Sequence, residues 1–118
     1  LRQAEQRWVQ AGVQNYTIVV QRLCFCGYTR PVRVTVRQGQ IVSRVDAETG
    51  EVAPPQANNI TEVLGLFALI RDAIDRDAYR LTVTYDGTTG IPLQINIDYI
   101  GNAVDDELNV RASEFQPS

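Results

Sequence analysis

The chain has 118 residues, 44% apolar and 21% charged, with a net charge of −3, the balance of one globular domain able to bury its own core. Its eleven basic residues are all arginine, and it has no histidine. Phosphate binding needs clustered excess cation, so nucleic acid is a poor partner. The missing histidine removes the usual base near neutral pH, the commonest metal ligand and any Ser–His or Cys–His nucleophile pair.

Residues 2–11 place Ala4, Trp8 and Ala11 at helical spacing, and Gly12 ends that helix. The segment 15–23, NYTIVVQRL, then reads as a strand, with Tyr16, Ile18 and Val20 on a buried face and Thr17, Val19 and Gln21 on a half-covered one. In 32–45 Val32, Val34 and Val36 alternate with Arg33, Thr35 and Arg37, the period of a strand with one wet face. Gln38-Gly39 turns that strand into a partner over 40–46. Gly50, Pro54, Pro55 and Asn58-Asn59 mark a surface loop.

Thr61 is the expected N-cap of a second helix with Glu62 in its first turn. Val63, Leu66, Phe67, Ile70, Ala73 and Ile74 form its apolar stripe, and Arg71–Asp75 and Asp72–Arg76 are i, i+4 pairs on the far side. Three strands follow: Leu81, Val83 and Tyr85 face in from the first, and Ile91, Leu93, Ile95, Ile97 and Tyr99 from the second. Leu108, Val110 and Ala112 face in from the third. The helix over 61–76 is expected to lie on the face that holds Val34, Val83, Leu93 and Ile95. Helix, three strands, helix, three strands gives an α+β fold: an antiparallel sheet of about six strands with both helices on one face. The repeated order of elements raises a structural duplication, without a residue-level repeat to prove it. The whole chain, 1–118, is read as a single domain.

Trp8, "NYT", the "CFC" of 24–26, "PVRVTVRQGQIVS", "LFALI", "VTYDGTTGIPLQINID" and "DDE" together resemble an uncharacterised domain-of-unknown-function family of bacterial secreted proteins and lipoproteins. The resemblance spans Trp8 to Phe115 and implies export; it implies no reaction. The start at Leu1 fits a removed signal peptide or lipoprotein leader, with a lipid anchor upstream, and fits an arbitrary boundary equally. No apolar run approaches the roughly 20 residues of a membrane-spanning helix. Helix-on-sheet folds also host cystatin-like inhibitors, but the Q-x-V-x-G signature is absent, since "RQGQIV" has the wrong order.

Cys24 and Cys26 are the only cysteines. Same-side residues of an extended strand lie roughly 6.6 Å apart, whereas a disulfide needs Cβ atoms roughly 3.5–4.5 Å apart. The pair can therefore bond only where the chain bends, and Gly27 and Pro31 supply a bend signal. In an oxidising compartment a small disulfide ring is the expectation. Unlinked thiols packed near Phe25, or a metal or redox pair, are the alternatives, although zinc would need two further ligands.

Asp98, Asp105, Asp106 and Glu107 crowd one loop and its flanks with enough oxygens to suggest calcium. They lack the spacing of a known calcium loop, and Asp and Asn start turns on their own account. No cofactor is expected. The polar sheet face is the better candidate site: Arg33, Thr35, Arg37, Thr82, Thr84, Gln94, Asn96, Asn109 and Arg111 all lie opposite the helices. Arg33 and Arg37, on one side of the strand with Thr35 between them, suit a carboxylate or sulfate. Trp8, Tyr16, Tyr85 and Tyr99 fall on apolar faces and read as core. The expectation is an exported, non-enzymatic domain that binds a protein or envelope component through this face. A small enzyme using carboxylates or thiols, and a structural module of a larger lipoprotein, are the alternatives.

Overall fold

The computed structural model describes residues 1–23, 28–99 and 107–117. The chain runs α1 (Arg2–Ala11), β1 (Tyr16–Leu23), β2 (Val32–Arg37), β3 (Gln40–Asp46), α2 (Val63–Asp75), β4 (Arg80–Tyr85), β5 (Pro92–Asp98) and β6 (Glu107–Pro117). This is the α+β order read from the sequence. The six strands form one antiparallel sheet ordered β3-β2-β1-β6-β5-β4. Each half supplies three adjacent strands, in the order third, second, first across the sheet, so β1 and β6 share the centre. The chain between β3 and β4, with α2 in it, passes from one edge strand to the other.

The core lies between helices and sheet. Val63, Leu66, Phe67, Ile70 and Ala73 of α2 are buried with Ile18, Val20, Val32, Val34, Ile95, Ile97 and Val110. Val83 is half-buried at the edge and packs against the same cluster. Principal extents of 42 × 34 × 18 Å fit two layers, one face of the sheet being left without helices. Ile74, expected on the apolar stripe, is 51% exposed; Ala73 takes the buried position at that end of the helix. The loop before α2 is not purely superficial, because Ala57 and Ile60 are buried in the core.

The N-cap of α2 is Glu62, one residue later than the sequence suggested, and its carboxylate accepts the Gly65 amide at 2.9 Å. Thr61 instead donates its hydroxyl to that carboxylate at 2.8 Å. A carboxylate here satisfies an orphan helix donor and complements the helix dipole. Asp72 and Arg76 pair at 3.4 Å as expected. Arg71 forms its ion pair with Glu5 of α1 rather than with Asp75, tying the two helices together. Trp8 of α1 is buried edge-on against Tyr16 and Phe115, with centroids 5.3 and 5.7 Å away.

Three bulges break the regular pairing, and each adds one residue. Val42 is extra on β3, since Val36 pairs with Ile41 and Thr35 with Ser43. Leu93 is extra on β5, where Tyr85 pairs with Pro92 and Thr84 with Gln94. On β6, Glu114 and Phe115 together oppose Ile18, because Val19 pairs with Ser113 and Thr17 with Gln116. An extra residue shifts the parity of the strand beyond it. Leu93 is therefore less buried than Ile95: it is half-buried, packs against the core cluster and also lines the face opposite the helices.

Candidate functional site

On the helix-free face, antiparallel register sets side chains in rows across the strands. Gln21 of β1 lies opposite Arg111 of β6, Arg111 opposite Gln94 of β5, and Gln94 opposite Thr84 of β4. Directly opposed side chains start roughly 4.5–5.5 Å apart, so the four form a continuous polar row. One step along, Arg33, Val19 and Ser113 form a second row. Between these rows and a wall of Pro31, Ala47 and Glu48 lies a half-open groove of about 400 Å³, with Leu93 and Glu114 also lining it.

The wall has its own supports. Asp46, the one charged residue buried among those described, receives Arg30 on both carboxylate oxygens and caps the turn through the amides of Glu48 and Thr49 at 2.8 and 3.1 Å. The Arg30 hydrogen bond holds the Asp46 carboxyl well below the usual range. Arg30 also reaches Glu48 at 3.6 Å, and the Ala47 amide donates to the Pro31 carbonyl at 3.0 Å. At the rim, Glu114 has φ of 51°, a left-handed conformation unfavourable to a side chain with a Cβ. Its carboxylate meets Arg33 at 3.4 Å.

The residues singled out from sequence divide accordingly. Thr84, Gln94 and Arg111 line the groove, and Arg33 touches it through Glu114. Thr35 sits between Thr17 and Ser43, and Arg37 closes β2 at the hairpin, bonded to the Val36 carbonyl. Thr82, Asn96 and Asn109 make a further row toward the opposite end. Arg33 and Arg37 therefore do not act together: the first is engaged by Glu114 and the second points along the hairpin end. Asp98 and Glu107 are directly opposed on β5 and β6. Among the described residues no group of three or more acidic, cysteine or histidine side chains converges. Asp105, Asp106, Cys24 and Cys26 lie outside the described residues.

Gln21, Val19, Leu93 and Glu114 were not singled out. Gln21 and Val19 were legible from the alternation of β1. Leu93 and Glu114 reach the groove through bulges, which leave no period in the sequence.

Apart from Arg30 and Asp46 behind the wall, the groups whose protonation the fold displaces lie elsewhere. Burial pushes Tyr16 up to about 12 and raises Tyr85 and Tyr99, while it lowers Arg22. The Thr89 hydroxyl and amide hold Asp86 down. None of these residues lines the groove, so acid–base chemistry at a shifted carboxyl has no support there. Among the described residues no helix is long and apolar enough to cross a membrane.

Neither a comparison with curated proteins nor one with solved structures gave a match. A family model does match nearly the whole chain, over residues 1–117, and on that extent the chain belongs to the family of unknown function DUF6174.

Proposed function

We propose that this chain is an exported, non-enzymatic binding domain that holds a protein or cell-envelope component on its helix-free sheet face. The observation that carries this reading is the groove: a concave site of about 400 Å³, within the range of ligand pockets, whose lining mixes apolar side chains with a few polar groups in fixed places. Its floor comes from the two central strands, β1 and β6, from β5 and from Thr84 on the edge strand β4, so the site is built on strands rather than on loops. Export rests on the resemblance to secreted proteins and lipoproteins, together with a cysteine pair suited to an oxidising compartment.

The test is affinity capture from an envelope extract with three forms of the protein: unaltered, Thr84→Lys with Gln94→Lys in the groove, and Leu64→Lys on the exposed side of α2. Loss of the captured component with the groove variant alone supports the reading. Equal capture by all three, or loss with Leu64→Lys alone, overturns it.

A further inference from the structure

Charge in the groove is unevenly answered. Among the described residues its two carboxylates are each met by an arginine, Glu48 by Arg30 at 3.6 Å and Glu114 by Arg33 at 3.4 Å. Arg111 is different: among the described residues its guanidinium has no hydrogen-bond or ion-pair partner, although it stands in the middle of the polar row. Gln94 and Thr84 beside it are also without side-chain partners among the described residues. Gln21, on its other side, is fixed by donating to the Thr29 carbonyl at 2.8 Å.

We propose that the groove takes an acidic side chain of an extended peptide, with its carboxylate on Arg111 between Gln21 and Gln94. The proposal rests on the binding reading above and names the chemistry of the partner. A planar guanidinium presents paired donors that match a carboxylate. The flanking amides and Thr84 offer both donors and acceptors to a peptide backbone. Leu93 and Val19 supply the apolar contact for a neighbouring side chain. Among the described residues the lining contains no aromatic ring, so they offer no flat stacking surface of the kind a sugar ring would use, and this favours a peptide over a glycan.

The test is an amide-resolved NMR titration with three probes: N-acetyl-Leu-Glu-Leu-amide, its Leu-Gln-Leu counterpart, and glutarate. The acidic peptide at millimolar concentration is expected to move the signals of Gln21, Gln94 and Arg111. Affinity should fall by at least about tenfold with the neutral peptide and with Arg111→Gln. Arg76→Gln, on α2, should leave it unchanged. Equal response to the neutral peptide, retention by Arg111→Gln, or no localised response overturns the proposal. The same saturable footprint from glutarate also overturns it, assigning the groove to a free small acid. Failure here leaves the broader binding reading standing if the groove variant still loses its captured component, so the two fail separately.

Discussion

The hydroxyl oxygen of Tyr16, the first residue of β1, accepts the backbone N–H of Val63, the first residue of α2, at 3.1 Å. It satisfies a helix-start donor that has no partner within the helix, and it fixes where α2 begins above the sheet. Burial raises the Tyr16 hydroxyl to about 12, the Val63 bond works against that, and Glu62 adds to it. The fold thus favours the neutral phenol. Its contribution is whole below the unfolded value of about 10 and is lost as pH rises from there toward 12. Tyr85 and Tyr99 shift in the same direction. Thermal unfolding of the unaltered protein and of Tyr16→Phe should therefore converge between pH 10 and 12. At neutral pH Tyr16→Phe should cost about 1–3 kcal/mol for the orphaned amide. A constant difference across that pH range would contradict the role given to this hydroxyl.

Gly90, in the β4–β5 turn, sets how closely α1 sits. Its φ is +83°, and a Cβ there would fall 2.1 Å from the Ala4 carbonyl oxygen. Arg7 of α1 also donates to the Gly87 carbonyl at 2.6 Å in the same turn. Gly90→Ala should cost about 2 kcal/mol or more from the left-handed backbone and the clash together. It should also expose Trp8, the only tryptophan, which fluorescence reads directly. Gly87→Ala, with open space around the added carbon, should change stability by less than about 0.5 kcal/mol.

Glu114 is an insertion that the core does not need. Because Glu114 and Phe115 share the position opposite Ile18, deleting Glu114 would restore regular pairing and leave Phe115 on the helix side. The deletion removes a left-handed residue worth about 1–2 kcal/mol of strain and an exposed ion pair worth about 0–1 kcal/mol. Stability should hold or rise slightly, and Trp8 fluorescence should be unchanged. A loss above about 2 kcal/mol would show that the bulge supports the core rather than the groove rim.

The cysteine pair carries a chemical prediction. In protein taken from the envelope, Cys24 and Cys26 should be joined in a small ring. Entropy gained by so short a loop is slight, so reduction should alter global stability little. Intact mass after alkylation without reductant is the check, and two alkylated thiols would end the disulfide reading.

Alternation carried most of the fold. Val32, Val34 and Val36 against Arg33, Thr35 and Arg37 marked both the strand and its two faces, and the Val63–Ala73 stripe placed α2. Bulges hid the rest. A run of Ile91, Leu93, Ile95 looks like one face, yet Leu93 is the extra residue of a bulge and is only half-buried, touching both the core and the groove. The alternation of Leu108, Val110 and Ala112 marks the last strand only as far as the parity break at Glu114, whereas β6 continues to Pro117. The candidate site was legible as a face and not as a groove. Its wall depends on Arg30 meeting Asp46, 16 residues away, and no local period records that contact.

The central claim is that the helix-free face meets a partner. A photo-crosslinking amino acid placed at Gln94 in the groove, and separately at Leu64 on the outer side of α2, tests it in cells of the native host. The account predicts a discrete adduct from position 94 in the envelope fraction, weakened by Arg111→Gln, and none from position 64. Adducts from position 64 alone, or none from position 94 in protein that is folded and present in the envelope, would contradict it.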